Sequence, residues 1–229
     1  AVRVNGITTL AINAGTIFGS PGLTLGTGGR MSLSRDRRVM VSVGDLTVDL
    51  SPSGGRLDLG AGQVSIAAGG TTPAELRAAI LAGRNDGNWN GATGITSTAV
   101  TVAGVGQRTV GYVFNADGSS GVSFAAPGDT DLNGVVNVFD LITINSSGAY
   151  GTGAAADWSD GDVTYDGVTN VFDLVAINSA GIYGKGSYFP AAPSVSGGMA
   201  VVPEPASLGA WGLAAVVACG LARQRRRGV

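Results

Sequence analysis

Residues 23–66 read LTLGTGGRMSLSRDRRVMVSVGDLTVDLSPSGGRLDLGAGQVSI, and their pattern indicates the fold class of the N-terminal region. Apolar and polar residues alternate in short runs, and glycine-rich turns separate the runs. This two-residue period predicts β-strands that bury one face. The runs are residues 23–25, 31–33, 39–43, 46–48, 57–59 and 64–66. Their spacing of roughly 7–11 residues suits either a β-solenoid or a small antiparallel sandwich.

We favour the last rungs of a solenoid for the β-rich region, residues 1–126, because the runs are short and their turns are glycine-rich. A sandwich stays open as the alternative. The sequence Thr72-Pro73-Ala74-Glu75 predicts a helix over 73–83, since threonine caps, proline suits the first position and glutamate completes a capping box. We expect this helix to cover an open end or edge of the β region. Further strands are predicted at 100–105, 108–114 and 122–124.

The composition limits the classes of function. The 229 residues include 39 glycines and no histidine, and only 13% are charged. Without histidine the commonest general base and zinc ligand are missing. Eight of the 16 acidic residues lie between positions 129 and 173. A local acidic cluster in a sparsely charged chain indicates cations, and not nucleic acid, as partners.

A duplicated segment carries that acidic cluster. Residues 129–141 read DTDLNGVVNVFDL, and residues 162–174 read DVTYDGVTNVFDL, aligned without a gap at an offset of 33 positions (162 − 129). Oxygen-bearing side chains fall at loop positions 1, 3, 5, 9 and 12, and glycine stands at position 6. This spacing can wrap the six to eight oxygen ligands that Ca²⁺ takes, with a backbone carbonyl supplied by position 7.

The sequence therefore predicts two calcium sites. The first site comprises Asp129, Asp131, Asn133, Val135, Asn137 and Asp140, and the second comprises Asp162, Thr164, Asp166, Val168, Asn170 and Asp173. Thr164 stands at position 3, where the first copy has an aspartate, and for this reason we expect the second site to be the weaker. Asx-rich turns that cap two helices without metal are the alternative interpretation.

Residues 127–186, with these two loops each followed by one helix, resemble a dockerin type I domain. The resemblance implies a small α-helical module with two bound Ca²⁺ ions, closed at position 12 by aspartate. It also implies a protein partner, a cohesin-like or other surface module, bound through residues just after position 9. Here those residues are Val138-Phe139 and Val171-Phe172, not the small hydroxyl residues common in cellulosomal members.

The C-terminal end follows a different pattern. Residues 187–205 read as a linker rich in Ser, Gly, Ala and Pro, and Pro203, Glu204 and Pro205 close it. Residues 206–222 form an almost uncharged run of a length at the short end for a membrane span, followed by four arginines within 223–227. We therefore predict a transmembrane sorting tail over 206–229.

The order Pro-Glu-Pro, apolar segment and arginine-rich end resembles the PEP-CTERM sorting signal. The resemblance implies export, a transient hold in the inner membrane and cleavage by an exosortase-type enzyme at the cell envelope. The combination with calcium loops is similar to large surface proteins of planctomycete-like bacteria. The chain begins at Ala1 without a leader pattern, and we expect it to be the C-terminal part of a longer protein.

No catalytic constellation emerges from the residues. A nucleophile–base pair is lacking without histidine. Asp45, Asp49 and Asp58 could in principle supply the paired carboxylates of glycoside hydrolysis, but their alternation with apolar residues predicts solvent-facing strand residues. The sequence thus predicts a non-catalytic exported surface protein: a mainly β region, a small α module with two calcium loops, and a transmembrane helix. The alternative is a C-terminal appendage of an extracellular polysaccharide-degrading glycoside hydrolase.

Overall fold

The computed structural model describes residues 2–5, 9–12, 18–100 and 107–190, which belong to one compact unit, Ala1–Ala192. This part of the chain is mainly β, with twelve strands and three short α-helices. The strands are β1 Val2–Val4, β2 Thr9–Ile12, β3 Phe18–Ser20, β4 Leu23–Leu25, β5 Arg30–Leu33, β6 Met40–Val43, β7 Leu46–Val48, β8 Arg56–Asp58, β9 Gln63–Ile66, β10 Gly94–Thr96, β11 Thr109–Phe114 and β12 Ser120–Ala125. The helices are α1 Pro73–Arg84, α2 Val138–Ser146 and α3 Val171–Ala180.

The first nine strands form three parallel rungs. Each rung contributes one strand to each of three sheets: β1, β4 and β7 pair in one, β2, β5 and β8 in the next, and β3, β6 and β9 in the third. Leu23, for example, pairs with Val2 of the preceding rung and with Leu46 of the following rung. Of the two β architectures that the sequence left open, this pairing is that of a solenoid.

Alternation along each strand builds the solenoid core. Leu23 and Leu25 of β4 are fully buried, while Thr24 between them is partly exposed. On the third rung, Leu57 of β8 and Val64 of β9 are fully buried as well. Burying one such aliphatic side chain contributes about 1.5–3 kcal/mol, so stacked rungs supply a continuous apolar interior.

Helix α1 interrupts the rungs after β9. Its predicted capping box is present: the Thr72 hydroxyl accepts from the Glu75 backbone N–H at 3.3 Å, and the Glu75 carboxylate accepts from the Thr72 N–H at 2.9 Å. The helix packs closely on β10, because a Cβ at Gly83 would lie 1.8 Å from the Ile95 carbonyl oxygen. Strand β10 pairs with β8 at the edge of its sheet.

An antiparallel hairpin ends the third sheet. Strand β12 pairs antiparallel with β9, and β11 pairs antiparallel with β12, so the parallel stacking stops here. The strands predicted at 108–114 and 122–124 correspond to β11 and β12. Most of the strand predicted at 100–105 lies outside the described residues, and Val100 stands in a turn.

The two loop–helix copies pack against each other reciprocally. Gly128, just before the first loop, lies against Ile177 of α3, where a Cβ would come within 2.9 Å of Cγ2. Gly161, just before the second loop, lies against Ile144 of α2 at the same 2.9 Å. Both glycines have positive φ, 96° and 103°. Each copy thus buries the isoleucine of the other.

This pair of copies shares its core with the solenoid. The Trp158 ring lies against Gly111 of β11, where a Cβ would be 2.6 Å from Cε2. Tyr165, from the second loop, is buried between Trp89, Tyr112 and Trp158, with ring centroids 5.5–6.0 Å apart. Its hydroxyl donates to the Val110 carbonyl. These buried aromatic residues belong to the same apolar cluster as the solenoid leucines.

The predicted fold class is therefore wrong in its helical module. A separate small α module of dockerin type does not form: in the described residues the chain is mainly β with three short helices, and α2 and α3 are only 9 and 10 residues long. The physical reason is burial, since helices this short cannot enclose a core without the β11 surface. The domain boundary at 126/127 stays a prediction about sequence units.

The predicted transmembrane helix has no support either. In the ranges that the structure describes, none of the helices is long and apolar enough to cross a membrane. Residues 206–229, on which that prediction fell, lie outside the described residues, as do the linker positions 191–205 and the Pro203-Glu204-Pro205 motif.

Candidate metal centre

The first loop brings three carboxylates together. Oxygen atoms of Asp129, Asp131 and Asp140 all lie within 4.8 Å of one another. Asp129 and Asp140 are buried and Asp131 is exposed. Like charges this close repel one another unless a cation or a proton neutralises them, so the cluster has the electrostatics of a cation site.

Backbone N–H groups hold these carboxylates in place. Asp129 accepts from Asn133 N at 3.2 Å and from Gly134 N at 2.9 Å. Asp140 accepts from Thr130 N and from Asn137 N, both at 2.9 Å, and from the Thr130 hydroxyl at 3.0 Å. Each carboxylate is therefore oriented by the chain and not by solvent, which lowers the entropy lost when an ion binds.

The second loop repeats these hydrogen bonds, but a cluster of three carboxylates like that of the first loop is not found among its described residues. Asp162 accepts from Asp166 N at 3.1 Å and from Gly167 N at 2.9 Å. Asp173 accepts from Val163 N and Thr164 N at 3.0 Å, and from Asn170 N at 2.9 Å. Position 4 has positive φ in both copies, 59° at Leu132 and 66° at Tyr165, and so does the glycine at position 6, 92° and 90°.

The asparagines at position 9 serve as helix N-caps. The Asn137 side-chain oxygen accepts from Phe139 N at 2.8 Å, and the Asn170 oxygen accepts from Phe172 N at 2.7 Å. In both copies the aspartate at position 12 completes the capping box. At position 5, Asn133 accepts from Val135 N at 2.8 Å. These contacts occupy part of the acceptor capacity of the predicted ligands.

The carbonyls on either side of position 7 are bound by crossing segments in both loops. In the first loop Gly134 O accepts from Tyr188 N at 3.0 Å and Val136 O accepts from Gly184 N at 2.9 Å. In the second loop Gly167 O accepts from Ala156 N and Thr169 O from Gly151 N, both at 2.9 Å. Among the described residues, no backbone N–H donates to the carbonyl of Val135 or Val168. Both carbonyls are therefore available as the position-7 ligand.

The donor set suits a hard divalent cation. The groups are carboxylate, amide, hydroxyl and carbonyl oxygens, the hard ligands that Ca²⁺ and Mg²⁺ take, and a sulfur or imidazole ligand is absent from both described loops. The Thr164 hydroxyl at position 3 is buried and has no hydrogen-bond partner. A buried hydroxyl oxygen without a partner is costly, and coordination of an ion would satisfy it.

Burial shapes the charge state of the two position-1 aspartates. It raises the pKa of Asp129 to about 7 against the hydrogen bonds from Tyr188 and Gly134, which lower it. Burial likewise raises the pKa of Asp162 to about 6. Both shifts describe the loops without an ion. A bound divalent cation would favour the deprotonated form and reverse them.

Residues outside the loops also contact the position-1 aspartates, and the sequence pattern did not reveal them. The Tyr188 hydroxyl donates to Asp129 Oδ2, and Trp158 Nε1 donates to the Asp129 carbonyl at 2.7 Å. In the second loop Arg77 Nη2 lies 3.9 Å from Asp162 Oδ2. Since Arg77 is distant in the sequence, only the packing of α1 against the second loop brings the two together.

The aspartates considered for glycoside hydrolysis have structural hydrogen bonds. Asp45 accepts from the Thr71 hydroxyl at 3.0 Å, and Asp49 accepts from the Thr27 hydroxyl at 2.9 Å. Asp58 was expected to face solvent, but it is buried and accepts from Gly60 N and Thr98 N at 2.9 Å. The expectation for Asp58 was wrong because its carboxylate caps the turn between β8 and β9.

Comparisons with known proteins found nothing similar: no family model, no curated protein and no solved structure matches this chain. The resemblances to dockerin and PEP-CTERM sequences therefore rest on the motifs alone.

Proposed function

We propose that residues 129–173 bind two calcium ions and that the loaded loop pair is a stabilising end cap of the β-solenoid in a non-catalytic, exported surface protein. The observation that carries the proposal is the repeated carbonyl pattern. Two loops with the same spacing of oxygen-bearing side chains both have the carbonyls of positions 6 and 8 bound by segments outside the loop, while no backbone N–H among the described residues donates to the position-7 carbonyl. Duplication of side chains, backbone angles and carbonyl partners is difficult to explain by helix capping alone.

Calcium supports the cap by neutralising buried charge. Asp129, Asp140, Asp162 and Asp173 are all buried. Because these buried carboxylates are not hydrated, their negative charge opposes folding unless a cation or a proton neutralises it. Ions that bind only the folded chain stabilise it, by about 2.7 kcal/mol when free calcium is 100 times the dissociation constant.

The test is calorimetric titration of the full chain with Ca²⁺. We expect two sites, with dissociation constants as high as about 10⁻⁴–10⁻³ M, as in extracellular modules. An Asp140→Asn, Asp173→Asn double variant should lose both sites and keep its solenoid spectrum. Mg²⁺ at the same concentration is the control for a merely electrostatic effect. Absence of calcium binding in the wild type would contradict the proposal.

Attachment to another surface protein is a second candidate function. The equivalent residues Phe139 and Phe172 are 73% and 68% exposed, and Val138 and Val171 beside them are also exposed. Exposed aromatic residues next to apolar ones favour a protein partner, such as a cohesin-like or other envelope module. A Phe139→Ser, Phe172→Ser double variant should lose retention on envelope fractions of the host while calcium binding is unchanged. Unchanged retention would contradict attachment through these residues.

Export and processing are proposed from the Pro203-Glu204-Pro205 motif and the terminal arginines only. Mass spectrometry of the C-terminal peptide from surface-extracted protein tests the proposal. A terminus near Pro203 is expected if an exosortase-type enzyme acts, and an intact Val229 terminus as the dominant form would contradict processing.

A further inference from the structure

The second loop has a cation of the protein itself beside its first ligand. Arg77 Nη2 lies 3.9 Å from Asp162 Oδ2, and this is the only ion pair within 4.0 Å among the described residues. The Asp162 side chain is fully buried, while that of Arg77 is 31% exposed. The same Nη2 would lie 3.9 Å from a Cβ at Gly167, so the guanidinium stands over positions 1 and 6 of the loop.

The first loop has a neutral donor at the equivalent oxygen. Oδ2 is the oxygen that accepts from the position-6 glycine N–H in both copies, from Gly134 in one and from Gly167 in the other. In the first loop this oxygen also accepts from the Tyr188 hydroxyl. A phenol supports the carboxylate without adding charge. Arg38 also interacts with the charge of Asp129, but it forms no ion pair with Asp129 within 4.0 Å, whereas Arg77 forms one with Asp162.

Arg77 is held in this position. Its Nη1 donates to the Tyr112 hydroxyl at 2.8 Å, and Tyr112 is buried in β11. Two helical turns beyond, Arg84 donates to the Thr164 carbonyl at 2.8 Å. Both arginines belong to α1, so the helix that interrupts the solenoid presents two cations to the second loop.

We propose that Arg77 is a built-in electrostatic competitor that weakens calcium binding at the second loop and makes this loop the low-affinity sensor of the pair. The inference rests on the proposed calcium function. Repulsion between a guanidinium and Ca²⁺ a few ångströms apart weakens binding by roughly tenfold after screening by solvent and salt. Calcium at the second loop then displaces Arg77 from Asp162 and links ion binding to helix α1. Occupancy of the first loop has no such link.

The experiment isolates the second loop in the full chain. An Asp140→Asn background removes the first site, and Arg77→Gln and Arg77→Lys are introduced into it. We expect Arg77→Gln to bind Ca²⁺ about 3–30 times more tightly, Arg77→Lys to stay within about twofold of the parent, and the gain from Gln to shrink in high salt. Equal affinities for Gln and Lys, or a loss of affinity in both, would overturn the proposal.

A measurement on the unmutated chain covers the case in which these variants fail to fold. During a calcium titration followed by NMR, the Arg77 Nε–H signal should shift with the second, weaker binding step. A shift with the first step, or a signal that never moves, would overturn the proposal. The proposed calcium function fails separately, because then neither the wild type nor Arg77→Gln binds calcium at all.

Discussion

The two loops have similar backbones but different surroundings. N-cap angles agree within a few degrees, with φ −144° at Asn137 and −146° at Asn170, and both loops have the same capping box. Around the first loop, however, the position-1 aspartate meets neutral donors, Tyr188 and Trp158. Around the second, the corresponding aspartate meets a guanidinium. A sequence repeat thus fixes the shape of a loop, while the surface on which it packs sets its electrostatics.

This difference follows from where each copy lies. The second loop faces α1 and β11, since Tyr165 bonds to Val110 and Arg84 stacks over the Tyr165 ring at 5.5 Å. The first loop faces the segment after α3, which forms a bridge between Ser187 and Val135. That segment is itself held by Arg38, whose guanidinium lies 3.8 Å from the centre of the Phe189 ring.

Removal of the position-12 carboxylate should have the largest effect. Asp140→Ala deprives three donors of their buried acceptor, and we expect a loss of about 3–5 kcal/mol in unfolding free energy in saturating calcium. Asp131→Ala, at an exposed position, should cost less than about 1 kcal/mol. Denaturant unfolding measures both. Equal losses would mean that position 12 does not close the loop.

The two glycines that precede the loops test whether the two copies pack against each other equivalently. Gly128→Ala and Gly161→Ala combine positive φ with a Cβ 2.9 Å from an isoleucine of the other copy, so each should lose about 2–4 kcal/mol. Gly148→Ala is the control, because its φ is also positive but nothing lies within 4 Å of its Cβ. Thermal unfolding measures the three. A clear difference between the first two would show that the copies do not pack equivalently.

Removal of one hydroxyl should affect the first loop and leave the second unchanged. Tyr188→Phe removes the donor to Asp129 and touches only the first loop, so we expect about 1–2 kcal/mol of lost stability and weaker calcium binding at the tighter site. Tyr183→Phe, an exposed tyrosine nearby, is the matched control. Calorimetry that finds the weaker site changed instead would contradict the assignment of Tyr188 to the first loop.

The calcium-free protein should also show a pH dependence of its stability. Burial raises the pKa of Asp129 to about 7 and of Asp162 to about 6, both above the unfolded value of 3.8. The folded chain therefore holds protons that the unfolded chain has released, and stability rises as pH falls from 8 towards 5. Thermal unfolding after removal of calcium measures this slope. An Asp129→Asn variant should show a weaker dependence of stability on pH. A wild-type melting temperature that decreases as the pH is lowered from 8 to 5 would contradict the pKa directions.

Alternation and turn chemistry made much of the fold predictable. The glycine-punctuated runs correspond to strands β4 to β9, because residues that alternate every two positions bury one face of a strand. The capping box at Thr72 placed the start of α1 for a similarly local reason. The loop spacing also predicted which carboxylates of the first copy converge.

Tertiary structure alone decided what surrounds these elements. Parallel pairing of Leu23 with both Val2 and Leu46 distinguishes a solenoid from a sandwich, and that pairing joins residues far apart in the chain. The short α2 and α3 bury their isoleucines only against each other's loops and the β11 surface, so they do not stand as a separate helical module. The contacts of Tyr188 with Asp129 and of Arg77 with Asp162 bridge distant segments as well. Local periodicity does not predict these contacts, because they depend on how buried surfaces fit together and not on spacing along the chain.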